Sequence, residues 1–253
     1  MTDPYDFDRY RVAVLGANGR MGRAVIRLLS EHPRLRLGAA IERSAFTKTI
    51  AERTVLIEEI NTCDAVIDFS SVNALDDLMR ISAIKVLPII TGVTGYDEAS
   101  LACLHSLAKD RPLFHASNFS IGVALLERLT EQASRLLGDD FDVEIFELHH
   151  RQKVDAPSGT ALTLAQAAAK GREGDVSDQP RYPRDSKLVQ VSAGRGGQVI
   201  GDHTVFFLGE EERIELTHRA DHRDLFARGA LRATEWCLKQ PPGLYKMNDL
   251  WEP

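Results

Sequence analysis

Cysteine is scarce in this chain. There are three, Cys63, Cys103 and Cys237, far apart among 253 residues. An odd, sparse set excludes a disulfide framework and points to a reducing compartment. No apolar run approaches the length of a membrane span, and the first residues, MTDPYDFD, lack an apolar signal core, so the expected location is cytoplasmic, with no membrane partner. Net basic charge is also lacking. Thirty-one Lys and Arg against 37 Asp and Glu leave a formal charge of −6, which disfavours a general nucleic-acid binder. There are no internal repeats and no low-complexity tract. What remains is ordinary for a globular protein: 43% hydrophobic and 27% charged residues, in a length that suits one large domain or two small ones.

The first third reads as alternating strands and helices. Arg11 to Leu15 is a buried-strand run that passes into a glycine loop, Gly16 to Gly22, of the pattern GxxGxxG. Helical apolar spacing follows from Met21 to Glu31, Pro33 ends it, and Leu35 to Ile41 forms a second strand closed by Glu42. Strand, glycine loop, helix, strand and a terminal acid about 20 residues past the glycines form a dinucleotide-binding unit. A plain β–α turn whose glycines serve packing is the competing reading. Ala65 to Phe69 is the next strand, with Ser70 and Ser71 at its carboxyl end. Asn73 is placed to cap a helix running to about Ile84. Val86 to Ile90 looks like a strand, yet Pro88 should confine it to an edge or a bulge. Residues 44–62 yield no clear element. Helix 97–109 and strand 113–115 complete this part, with the loops Thr91–Gly95 and Ala116–Phe119 at strand ends.

The pattern changes near Ser120. A long amphipathic helix spans Ile121 to Leu137, and a strand from Asp142 to Leu148 delivers the stretch ELHHRQKVDAPSGT, residues 147–160. Two histidines, an arginine and a lysine fall between His149 and Lys153. The chain then turns through Pro157 into Ser158, Gly159 and Thr160, where a helix begins. Helix starts carry unpaired N–H groups and the positive end of the dipole, which suits an anion. Fixed positive charge, proton donors and anion-binding geometry in one loop suit a carboxylated substrate that must be protonated. A solvated basic loop before a capped helix is the plainer alternative. Zinc is not expected, because adjacent histidines on an extended chain point to opposite sides. A polar, mobile loop is expected over 171–187, then strands 188–193, 203–208 and 213–218. Ile214, Leu216 and His218 alternate along the last of these and suggest an apolar sheet face. A helix from Leu225 to Leu238 closes the chain.

The fold class expected is α/β, a Rossmann-type dinucleotide-binding domain with an inserted α+β mixed-sheet domain. The first comprises 1–119 and 222–253, and the second, for substrate and oligomerisation, comprises 120–221, with hinges near Ser120 and Asp221.

Over nearly its whole length the sequence resembles the 4-hydroxy-tetrahydrodipicolinate reductase family, also called dihydrodipicolinate reductase. The resemblance rests on VAVLGANGRMGRAV, AAIER, AVIDFS, TGVTGYDE, ASNFSIGV, ELHHRQKVDAPSGTAL, IGDHTVFF, ERIELTHRADHRDLFARGALRA and GLYKMNDL. It implies reduction of a cyclic dicarboxylate with NADPH or NADH in diaminopimelate and lysine biosynthesis, by a homotetramer. It also implies site residues. Gly16, Ala17, Asn18, Gly19, Arg20 and Met21 would hold the pyrophosphate. Glu42 would meet the adenosine ribose, with Arg43 and Arg20 near a 2′-phosphate. Gly92, Val93 and Thr94, and Ala116, Ser117, Asn118 and Phe119, would face the nicotinamide. His149 would be the proton donor, Lys153 its charged partner, and His150, Gly159 and Thr160 the holders of substrate carboxylates. No metal is implied. The sequence departs from the family pattern in shorter loops after Arg43 and near 170–187, in the missing Pro after Ser70, and in Ala124 where Asn is usual. A different Rossmann oxidoreductase acting on an amino or keto acid, and a nucleotide-sensing module without turnover, are the other classes compatible with the chain.

Overall fold

In a computed structural model, residues 9–42, 50–179, 183, 185 and 187–251 are described. The chain divides into two units, one running to Phe119 and resuming at Phe226, the other Ser120–Leu225.

The first unit is built on a six-stranded parallel sheet. Its strands are β1 (Tyr10–Leu15), β2 (Leu35–Ile41), β3 (Ala65–Asp68), β4 (Ile89–Thr91), β5 (Pro112–His115) and β11 (Gly243–Tyr245), in the order β11-β5-β4-β3-β1-β2. Central parallel strands are covered on both faces and read as unbroken apolar runs. Val12 to Leu15 and Ala65 to Ile67 are accordingly at most 1% exposed. Helix α1 (Arg20–Ser30) buries Val25, Leu28 and Leu29 at i, i+3, i+4 spacing. Helices α2 (Ile50–Asn61), α3 (Leu75–Ile84), α4 (Glu98–Ser106) and α7 (Asp224–Cys237) follow in chain order; α7 begins at the end of the second unit, and its residues from Phe226 on belong to the first. The core joins Leu15, Ile41, Ile60, Leu78, Ile81, Ile89 and Leu104. The strand order reverses between β1 and β3, the switch point where open α/β sheets bind ligands.

Three local elements differ from what the residues suggest. Residues 50–61 form a helix that the sequence concealed, since Val55, Leu56 and Ile57 are consecutive rather than helically spaced. Asn73 caps nothing; it lies inside a short 3-10 turn, Val72–Ala74, and α3 begins without a side-chain cap. Pro88 does not place its strand at an edge. The strand starts one residue later, between β3 and β5, so no ladder N–H is lost, and the Pro88 carbonyl accepts from Val66 N at 2.9 Å.

The second unit carries a mixed five-stranded sheet, β10-β9-β6-β8-β7. Its strands are β6 (Asp142–His149), β7 (Asp175–Ser177), β8 (Leu188–Arg195), β9 (Asp202–Leu208) and β10 (Arg213–Arg219). β6 runs parallel to β8 and antiparallel to β9. Helices α5 (Ile121–Leu137) and α6 (Gly159–Arg172) pack with one face of the sheet around Leu126, Val143, Ile145, Leu164, Val189, Val205 and Phe207. The alanines of α6 allow close approach, and at Gly171 a Cβ would lie 2.5 Å from the Glu131 carbonyl of α5. The stretch after α6 is not all loop, because Asp175–Ser177 adds an edge strand to β8. The alternating residues of β10 do mark an apolar face. Ile214, Leu216 and His218 pair with Phe207, Val205 and His203 and so share the helix-covered face. The opposite face presents Phe146, 45% exposed, with Phe206 and Leu208 partly exposed.

Ala124 lies in the first turn of α5. Ser120 does the capping there, its hydroxyl accepting from Val123 N at 3.1 Å while pairing with His218 Nε2 at 3.2 Å.

Candidate functional site

The predicted residues of the first unit gather at the carboxyl ends of its parallel strands. Gly16 adopts φ +80° directly after β1, and a Cβ there would lie 2.9 Å from the backbone of Phe69 and Ser70 after β3. A Cβ on Gly22 would lie 2.1 Å from the Gly16 carbonyl. Only glycine lets the turn close and α1 start this near the strand. Gly19 is the N-cap of α1, with no side chain capping the helix, so the first N–H groups are left for a ligand. The loop is tied to the second strand, since Gly16 N and Ala17 N both donate to Ile41 O, at 2.9 and 3.3 Å. The Asn18 backbone N–H donates to the Glu42 carboxylate. Asn18, Gly19 and Arg20 are exposed and Met21 is half-buried. Arg43 lies outside the described residues.

Next to this loop, Asp68 is buried at the end of β3. It accepts from Ser70 N at 2.9 Å, from the Ser70 hydroxyl, and from Thr91 Oγ1 at 3.1 Å. Burial pushes its carboxyl up, and these hydrogen bonds oppose the rise. Thr91 Oγ1 also accepts from Val93 N, and Gly92 N donates to Asp68 O at 2.9 Å, which fixes the Gly92–Thr94 loop. Gly92 must be glycine because its Cβ would stand 2.2 Å from the Phe69 ring. Ala116 N donates to Thr91 O at 3.2 Å and brings the fifth strand's loop alongside. Ser117 is exposed and Asn118 half-buried. Phe119 is 2% exposed, its ring packed on Phe69 and Phe114; only its backbone is left for other contacts.

In the second unit β6 ends at His149, 8% exposed. The Glu147 carboxylate, fully buried, is hydrogen-bonded by four donors. His149 Nδ1 donates to it, Arg195 Nη1 and Nη2 grip its two oxygens at 2.9 and 2.8 Å, and Ser158 N reaches Oε1 at 3.0 Å. Burial alone would raise this carboxyl, but the bonds from His149 and Arg195 outweigh it and hold it at about 2. Ser158 is the N-cap of α6, its hydroxyl accepting from Ala161 N at 3.2 Å. The same hydroxyl meets His203 Nε2 at 3.2 Å, and the His203 ring stands edge-on to His149 with centroids 5.1 Å apart. Burial, then the charge of His149, pushes His203 down to about 4.

Lys153 Nζ pairs with Asp155 at 2.8 Å beside this cluster, and Asp155 offers its carbonyl to Arg195. His150 is half-buried; Gly159 and Thr160 open α6, exposed and half-buried respectively. The structure thus collects His149, the Lys153 loop and the α6 start around Glu147. Glu147, Arg195 and His203 join the predicted residues here, and Ser158, expected only as part of the helix start, is its cap.

A Rossmann-like sheet with an uncapped glycine loop, in one chain with a mixed-sheet unit, has the architecture of a dinucleotide-dependent oxidoreductase, and the relatives place the chain in that class. The chain belongs to the dihydrodipicolinate reductase family. The family's N-terminal model matches residues 10–119 and its C-terminal model residues 122–251. A protein of Halorhodospira halophila named 4-hydroxy-tetrahydrodipicolinate reductase is 39% identical over 94% of this chain and 97% of its own. One of Sulfurimonas denitrificans with the same name is 40% identical, covering 96% and 99%. Among solved structures, a dipicolinate-bound dihydrodipicolinate reductase from Paenisporosarcina sp. TG-14 aligns with a TM-score of 0.75 at 23% identity, over 94% of this chain and 97% of that one, and shares the fold.

Proposed function

We propose that this chain reduces 4-hydroxy-tetrahydrodipicolinate to tetrahydrodipicolinate with NADH or NADPH, the step of diaminopimelate and lysine biosynthesis that its relatives' name denotes. The net change replaces a ring hydroxyl by hydrogen, so one hydride and one proton enter and water leaves. The observation that carries the reading is the buried His149 at the end of β6, bonded to an ionised Glu147 beside the start of α6.

The glycine loop supports a dinucleotide. Gly16, Gly19 and Gly22 leave backbone room, the α1 start suits the pyrophosphate, and Glu42 is held at the loop to accept from ribose hydroxyls. Ala17, Asn18, Arg20 and Met21 complete that loop, and Arg20 with Arg43 offers guanidinium to a 2′-phosphate. The Gly92–Thr94 and Ala116–Phe119 loops lie at the carboxyl ends of β4 and β5, the sheet edge assigned to the nicotinamide. The reduced nicotinamide, when bound, supplies the hydride.

The residues of the second unit bind the substrate and move the proton. Gly159 and Thr160 present the N–H end of α6 to a carboxylate, with His150 and Lys153 adding donors and charge. Lys153 can exchange its exposed partner Asp155 for substrate. His149 delivers the proton to the ring carbon from its outer nitrogen. The first unit is thus read as the dinucleotide domain and the second as the substrate and assembly domain of a cytoplasmic homotetramer. Purified protein given NADPH and the 4-hydroxylated ring should oxidise one cofactor per ring reduced. Oxidation with simple amino or keto acids instead would move the chain to another dehydrogenase chemistry.

A further inference from the structure

Glu147 occupies a position where an acid has no ordinary reason to be. β6 alternates Val143, Ile145, Glu147 and His149 toward the helix-covered face, and Glu147 is fully buried there. A carboxylate has about four lone-pair directions. His149 Nδ1, Arg195 Nη1, Arg195 Nη2 and Ser158 N occupy all four. A carboxylate so bonded only accepts, so Nδ1 of His149 carries a hydrogen in every charge state of the ring. The other ring nitrogen, Nε2, is then the one that gains and loses a proton. It faces Gly201, where a Cβ would come within 2.9 Å of it, so the missing side chain keeps Nε2 open.

A lone buried carboxylate against an imidazolium would hold that proton too firmly for a useful acid. Arg195 shares that carboxylate. It comes from the neighbouring strand β8, where register places it beside His149, and its guanidinium spreads over both Glu147 oxygens. The other titratable groups facing the ring are His203 of β9, which burial keeps neutral near neutral pH, and the Lys153–Asp155 pair of the following loop.

We propose that Glu147 and Arg195 are a positioning pair for His149: Glu147 fixes the tautomer that presents Nε2, and Arg195 offsets the Glu147 charge so that the imidazolium releases its proton. The inference rests on His149 being the proton donor. In the step, the Nε2–H bond breaks as the ring C–H bond forms, the hydride having come from the reduced nicotinamide. His149 is left neutral with Nδ1–H still on Glu147, and solvent returns a proton to Nε2.

The test is the pH dependence of kcat/KM on the high-pH side, where the protonated acid is lost. Glu147→Gln should move that limb to lower pH by about one unit, and Arg195→Met should move it to higher pH by a similar amount. Arg195→Lys, which keeps the charge, should leave it near the wild-type position. A structural clamp predicts lower activity with the limb unmoved in all three, and that result overturns the proposal. Should the first two variants fail to fold, nitrogen-15 histidine NMR of the wild-type protein decides. The neutral His149 ring, assigned by its absence in His149→Gln, should carry its hydrogen on Nδ1; a hydrogen on Nε2 refutes the pairing. If instead His149→Gln keeps a near-normal kcat, the proton-donor reading has failed, a different outcome from an unmoved limb.

Discussion

The Asn18 N–H donates to the Glu42 carboxylate across the gap between the glycine loop and the end of β2. One carboxylate therefore braces the loop and remains at the strand end, where ribose hydroxyls are read. Glu42→Ala should raise KM for NADH about tenfold or more, the worth of a hydrogen bond to a charged group, with kcat little changed. For NADPH the loss should be smaller, because the same carboxylate repels a 2′-phosphate. Arg43→Ala should act the other way, raising KM for NADPH several-fold and sparing NADH. Steady-state KM values for both cofactors check this, and wild-type preference should stay within about a hundredfold, or ~3 kcal/mol. Equal losses for both cofactors in Arg43→Ala would remove it from phosphate recognition.

Pyridine-2,6-dicarboxylate, flat and doubly anionic, should inhibit competitively against substrate through the α6 start. Thr160→Val should raise its inhibition constant about tenfold while leaving KM for NADPH unchanged. Inhibition competitive with the cofactor alone would place the dicarboxylate elsewhere.

The second unit should be acid-labile in two stages. His203 takes a proton in the unfolded chain below its ordinary value of 6.5 but in the folded unit only below about 4. Stability is therefore lost as pH falls between those values, on the order of 3 kcal/mol. Glu147, ordinarily at 4.5 and held at about 2, contributes stability that is present above 4.5 and lost as pH falls toward 2. Denaturant unfolding at neutral pH and near pH 4 should show His203→Gln losing less on acidification than wild type. Identical losses would mean that His203 does not titrate as its burial dictates.

Much of this fold is legible in the residues because unbroken apolar runs, the glycine spacing and helical periodicity are local signals. The α/β order, the glycine loop and the His149–Lys153 run are all read that way. The partners of His149 are not. Arg195 is 48 residues from Glu147 in sequence, and His203 is 45 from Ser158; sheet register joins the first pair, and the start of α6 meeting β9 joins the second. One signal was present, for the period-2 phase of Val143 and Ile145 carries Glu147 to the buried face. The same rule holds at β10, where the alternation of Ile214, Leu216 and His218 marks the apolar face and Leu216 packs on the core.

Phe146 lies on the opposite face of that sheet, 45% exposed, level with Thr204 of β9 and Ser192 of β8. A large aromatic there fits a self-association face with closed symmetry. Phe146→Asp should reduce the sedimenting species from the proposed tetramer to dimer or monomer at micromolar concentration, with far-ultraviolet dichroism retained. A wild-type monomer under those conditions would contradict the assembly directly.

Delivery of the proton by His149 is the step on which the proposed reaction turns. Steady-state kinetics of His149→Gln with the 4-hydroxylated ring and NADPH tests it most directly. The kcat should be lower by about 10²- to 10⁴-fold, the worth of a positioned acid, with KM little changed and the melting temperature near that of wild type. A near-normal kcat would contradict it.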